Sequence, residues 1–201
     1  DALRAFLDEG PPPMAAAQAL QALGSQRDPA DLPRLEKASR DPGLHAWAAS
    51  GALRGMGALR SRDALESLEA RLPYGAIPED ARPAAVEGLA AGARLFERDT
   101  RARALDRLAD LTRDRDRRVR LRTAAQIGTL GLAEGAGALE AMKPGVSRQD
   151  GVRIDRIIAK LKKGGPGEET VQLRERVEKL EEKLRKLDTK LQDLEARDAA
   201  E

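Results

Sequence analysis

Four glycines, Gly24, Gly57, Gly92 and Gly131, recur at intervals of 33, 35 and 39 residues, and their surroundings recur with them. An apolar residue stands directly before each: Leu23, Met56, Ala91 and Leu130. Four residues before them stand Leu20, Leu53, Gly88 and Ile127, with Leu89 compensating beside the odd glycine. Seven and eight before stand the small pairs Ala16/Ala17, Ala49/Ser50, Ala84/Ala85 and Thr123/Ala124. Offsets of one, four and eight share one helical face, and a terminal glycine suits a left-handed C-cap. Each unit therefore contains a helix with small residues early, where a neighbouring backbone can approach, and large ones late. A helix pair repeated at this period predicts an α-solenoid, in which each hairpin buries its apolar face only by stacking on the next.

The residues between these helices are also helical in pattern, over 29–39, 63–72, 100–113 and 133–143, and 2–7 reads as the end of an earlier helix. A fifth inner helix is predicted near 149–161, carried by Val152, Ile154, Ile157, Ile158 and Leu161. Turn signals separate the pieces: Gly10-Pro11-Pro12-Pro13, Asp41-Pro42-Gly43, Pro73-Tyr74-Gly75 and Lys143-Pro144-Gly145. Composition agrees. Aromatic residues are only 2% of the chain, and Ala, Leu and Arg dominate, which suits close-packed helices and argues against a sheet. The expected fold is all-α, with about 4–5 helical hairpins over 1–163. Cysteine is absent, which excludes disulfides, thiolate nucleophiles and Cys-ligated metals. No run approaches the roughly 18 apolar residues of a membrane span. The chain begins Asp1-Ala2-Leu3, without Met, and is read as a piece of a longer protein with a cytoplasmic location.

The stretch RDRDRRVRLR, residues 113–122, holds six arginines in ten residues. It invites a nucleic-acid reading that the bulk charge weakens. Lys and Arg total 36 against 34 Asp and Glu, for a net charge of +2. Residues 1–167 carry 28 basic against 23 acidic side chains, and the basic run has no interleaved aromatics on which bases could stack.

The run continues as DRDRRVRLRTAAQIGTLG, which resembles the second half of a HEAT repeat: an Asp, then a Val-Arg pair, before an Ala-rich helix ending in Leu-Gly. Asp114, Val119 and Arg120 stand at those positions. The resemblance implies that Asp114 and Arg120 belong to side-chain ladders between adjacent repeats. Other units depart from it, with Leu44-His45 in place of Val-Arg and Ser39 where the Asp would be, so the ladder is expected to be incomplete.

A second resemblance spans about 28–162. ASRDPGLHAWAASGALRGMGALRSRDALESLEARLPYG, followed by ARPAAVEGLAAGARL, is similar to the C-terminal helical-repeat region of some bacterial aminopeptidase N-type zinc peptidases. Asp41-Pro42, His45-Ala46-Trp47 and Leu72-Pro73-Tyr74-Gly75 carry it. The catalytic machinery of that family is a His-Glu-x-x-His helix with a further Glu. Here the sole histidine, His45, is followed by Ala-Trp-Ala-Ala, so no catalytic residue carries over and neither metal nor cofactor is expected.

Gly164-Gly165-Pro166-Gly167 interrupts the array, and the period changes. Leu173, Val177, Leu180, Leu184, Leu187, Leu191 and Leu194 alternate steps of four and three, the seam of a coiled-coil helix over 168–197, with 198–201 a frayed tail. That helix would be about 45 Å long. In a parallel pair the g–e′ contacts are Glu169/Arg174, Arg176/Glu181, Lys183/Asp188 and Lys190/Glu195, all opposite in sign. In an antiparallel pair, mostly basic g positions would face each other. The parallel homodimer is the favoured reading. A trimer and docking onto the chain's own array remain alternatives.

Trp47 lies four and eight residues before Gly51 and Gly55 and either packs between repeats or lines a peptide groove. His45 reads as a surface or ladder residue, and Tyr74 as a ring packed over the preceding helix end. Glu79/Asp80 and Glu181/Glu182 show no convergence that would do acid–base work. The functional expectation is a non-catalytic HEAT-repeat scaffold that binds proteins and pairs through its coiled coil, as the C-terminal part of an aminopeptidase-like metallopeptidase. The alternative is a nucleic-acid-binding module using the arginines of 113–122.

Overall fold

Prolines and short polar caps fix where the helices start. Proline opens or nearly opens three of them, at Pro13, Pro33 and Pro83, where a missing N–H costs nothing. Ser61, Asp116 and Ser147 cap three others, their side-chain oxygens accepting from the backbone N–H of Ala64, Arg118 and Asp150. The computed structural model describes residues 2–163. Their helices are α1 (Ala2–Asp8), α2 (Pro13–Ser25), α3 (Leu32–Ala38), α4 (Trp47–Ala58), α5 (Arg62–Glu69), α6 (Arg82–Ala93), α7 (Arg98–Leu111), α8 (Arg117–Leu130), α9 (Gly135–Met142) and α10 (Arg148–Lys162). No strand occurs among the described residues.

Each odd helix packs against the even helix that follows it, from α1 on α2 to α9 on α10. The even helices also pack on one another in chain order, α2 on α4, α4 on α6, α6 on α8 and α8 on α10. They form one layer, with the odd helices laid along it. The large residues of the periodic face are inside, as their spacing requires: Leu23, Leu53, Met56, Leu89 and Ile127 are fully buried. Ala91 is exposed, and its neighbours Leu89 and Ala90 fill the core instead.

The periodic glycines do a different job from the expected one. Only Gly131 ends its helix in the left-handed conformation, at φ 69°. Gly24 and Gly57 lie inside α2 and α4, and the left-handed positions beyond those helices fall on Arg27 (φ 61°) and Arg60 (φ 56°). The glycines mark helix crossings. A Cβ on Gly24 would sit 2.0 Å from the carbonyl oxygen of Gly55, and one on Gly57 2.3 Å from that of Gly88. A Cβ on Gly88 would in turn lie 2.3 Å from the Leu53 carbonyl oxygen, and one on Gly51 2.1 Å from that of Ala17. Backbone touches backbone from α2 through α4 to α6, so the period records the distance between contact points on stacked helices.

Ion pairs repeat with the same step. Arg62 at the start of α5 donates to Glu97, just before α7, and Arg98 at the start of α7 donates to Glu134, just before α9, each at 2.5 Å. Arg54–Glu87, Arg82–Asp114, Arg103–Glu69 and Arg117–Asp150 also join residues 32 to 34 apart in sequence. Exposed rungs contribute about 0.2–1 kcal/mol each. Arg82–Asp114 is different, because its side chains are only 3% and 9% exposed.

Candidate functional site

Five of the six arginines in 113–122 are engaged. The Arg115 guanidinium lies 3.1 Å over the centre of the Tyr74 ring. Arg117 donates to Asp150 on α10 at 2.6 Å, and Arg118 to Asp80 at 2.7 Å as well as to its own helix cap, Asp116. Arg120 donates to the backbone carbonyls of Asp114 (2.8 Å) and Arg115 (3.1 Å), closing the loop ahead of α8. Arg122 pairs with Glu87 on α6 at 2.6 Å. Thus Arg117 reaches the following helix pair, while Arg118 and Arg122 reach the preceding one.

Asp114 and Arg120 therefore meet only through the Asp114 carbonyl. The Asp114 carboxylate is held by both terminal nitrogens of Arg82, at 2.9 and 2.6 Å, and by the backbone N–H of Asp116 at 2.8 Å. The Arg82 hydrogen bonds keep the Asp114 carboxyl below the ordinary carboxylate range, and Asp114 in return raises Arg82. Asp150 is likewise lowered, first by the Ser147 hydroxyl and then by Arg117. Arg82 went unrecognised in the sequence. Its signal was a basic residue at the start of an even helix, one repeat before Asp114.

On the outer surface of the even layer, Trp47 is half-buried and lines a pocket of about 500 Å³ with Met14, Ala17 and Ser50. Met14 is 56% exposed. The His45 ring, 5.7 Å from that of Trp47, is on the rim, with Asp80 and Arg118 opposite. Gly51 and Gly55, on the same stripe as Trp47, receive the Ala17 and Leu20 carbonyls of α2. The backbone just before Trp47 is unusual: His45 (φ 51°) and Ala46 (φ 49°) are consecutive left-handed residues without being glycine. Each costs about 1–2 kcal/mol, and together they turn His45 outward while Ala46 stays buried. Tyr74 is half exposed, its hydroxyl donating to Glu79.

Among the described residues no three His, Asp or Glu side chains converge as metal ligands would, and no helix is long and apolar enough to cross a membrane. The heptad seam of 170–194, the linker 164–167 and residues 198–201 lie outside the described residues. Comparison with protein-family models and with curated proteins finds no match for this chain.

Proposed function

We propose that the chain is a non-catalytic HEAT-like scaffold: an α-solenoid that presents the surface of its even helices to protein partners and self-associates through a coiled coil at 168–197. The motif residues around His45-Ala46-Trp47 and Leu72-Pro73-Tyr74-Gly75 support placing it as the C-terminal part of an aminopeptidase-like protein. The observation that carries the scaffold reading is the engagement of the arginine-rich run. Arg117, Arg118 and Arg122 act as cross-links between helix pairs, which weighs against a nucleic-acid grip. The Trp47 pocket, with its ring pair and exposed methionine, has the mixed apolar and polar lining that suits a peptide.

Self-association is tested by mass. Seven apolar residues at uninterrupted four-three spacing suit a two-helix seam, each buried Leu contributing about 1.5–3 kcal/mol, and the g–e′ charges select the parallel orientation. Light scattering is expected to give twice the chain mass for the full protein and the single-chain mass after removal of everything beyond Gly167. Leu184→Asp should have the same effect by placing a charge in the seam. Equal masses for full and shortened chains would assign the heptads to another contact.

A further inference from the structure

At the far end of the even layer, opposite the Trp47 pocket, a second pocket of about 510 Å³ opens where α6, α8 and α10 meet. Its uncharged lining is small and largely apolar: Ala125, Gly128 and Thr129 on α8, and Ile157 on α10, which form its floor. Gly128 lets Ile157 approach closely: a Cβ there would lie 2.8 Å from Ile157 Cγ2 and push that side chain aside. Three cations stand round this floor: Arg94 at the end of α6, and Arg156 and Lys160 one turn apart on α10. No carboxylate lines the pocket. None of the three has a salt-bridge or hydrogen-bond partner among the described residues.

The lining itself sets this pocket apart. The Trp47 pocket is lined by Asp80 as well as by Arg54 and Arg118, and elsewhere on the even layer Arg54 and Arg122 share Glu87, whereas here three cations line one pocket with no carboxylate among them. Arg94 caps the C-terminus of α6 and Lys160 lies in the last turn of α10, where the macrodipole favours positive charge. The three line one pocket with no counter-charge among the described residues, beside small residues that can accept aliphatic carbon.

We propose that this pocket is a docking site for an acidic segment of a partner protein, whose Asp or Glu carboxylates meet Arg94, Arg156 and Lys160 while its aliphatic carbons rest on Ala125 and Ile157. The proposal rests on the scaffold reading and supplies the chemistry of the partner. A peptide fits better than a nucleic-acid backbone for two reasons. The charge is a single cluster rather than a stripe tracking successive phosphates, and no aromatic ring lines the pocket for base stacking.

The test uses the full chain and fluorescence anisotropy with a labelled peptide of alternating glutamate and alanine. Oligo-dT of equal net charge and a lysine–alanine peptide serve as comparison probes. The combined variant Arg94→Glu, Arg156→Glu, Lys160→Glu is expected to weaken glutamate-peptide binding about tenfold or more, since each exposed charge contact is worth a factor of a few. An equal charge change on the odd-helix side, Lys37→Glu, Arg40→Glu, Arg113→Glu, should leave the affinity within about twofold, since the direct contacts are untouched and distant surface charges are screened by salt. All six positions are exposed, so both variants are expected to keep their helix content, which circular dichroism checks. Equal weakening by the two variants would show that only net charge matters and overturn the site. Tighter binding of oligo-dT than of the peptide, lost in the pocket variant alone, would make the ligand a nucleic acid and overturn the proposal. So would tighter peptide binding after Glu168→Gln, Glu169→Gln and Glu175→Gln, which would identify the chain's own C-terminal segment as the occupant. The scaffold reading is judged separately by the light-scattering masses, so either can fail alone.

Discussion

Alanine at Gly24, Gly57 or Gly88 is expected to destabilise the protein by about 2–3 kcal/mol each, while the same change at Gly137 or Gly151 stabilises it by up to about 1 kcal/mol. All five glycines are helical, so intrinsic propensity favours alanine at every one of them. What separates them is the neighbour. At Gly24, Gly57 and Gly88 the new methyl would fall 2.0, 2.3 and 2.3 Å from a carbonyl oxygen of the adjacent even helix. A carbonyl in a packed helix cannot swing aside as a side chain can, so the helices must separate and lose contact along their length. At Gly137 and Gly151 nothing lies within 4 Å. Thermal unfolding of the five single variants gives the answer directly. Stabilisation at Gly57 or Gly88 would mean that the even helices are not in backbone contact.

The largest loss is expected from breaking the buried pair. Arg82→Ala or Asp114→Asn should cost about 3–5 kcal/mol, because each leaves a partner in a site that is 3% or 9% exposed without its counter-charge. Replacing both, by Met at 82 and Leu at 114, should cost less than the sum of the single changes, since no charge is then stranded. The effect has a defined pH dependence. Asp114 is depressed in the folded state by its Arg82 hydrogen bonds, so its contribution is present above the unfolded carboxylate value of about 3.9 and is lost as pH falls through the folded value. Denaturant unfolding should therefore show a large gap between wild type and Asp114→Asn at neutral pH that narrows in acid. By contrast, the exposed rung Arg62–Glu97 should cost no more than about 1 kcal/mol when cut.

Much of this architecture is legible in the chain because helix pairing is written in periodicity. Leu23, Leu53, Met56 and Ile127 are buried for the same reason that their spacing repeats. The meaning of the glycines was not legible. A glycine near a helix end can terminate the helix or admit a neighbour, and the sequence around Gly24 and Gly57 does not distinguish the two. Their cross-helix partners, Gly55 and Gly88, lie one unit away and become meaningful only once the helices are stacked. The same limit applies to charge. Asp114 stood out as a ladder residue, but its partner Arg82 is chosen by which helix starts beside it. Arg94, Arg156 and Lys160 look in sequence like any other cations, and only folding gathers them round one pocket. Nothing in Leu44-His45-Ala46-Trp47 announces two left-handed residues, because neither His45 nor Ala46 is the glycine that usually takes that conformation.

The basic run either joins helix pairs together or holds a nucleic acid, and one variant separates the two. Arg117→Gln, Arg118→Gln and Arg122→Gln together remove the cross-links to Asp150, Asp80 and Glu87, leaving the Asp150 side chain, 4% exposed, without its cation. The measurement is the melting temperature of this variant beside its affinity for a single-stranded oligonucleotide at physiological salt. A fall of roughly 5 °C or more, with oligonucleotide binding weak in both proteins, is the predicted result. An unchanged melting temperature together with tight wild-type binding that the variant loses would contradict it.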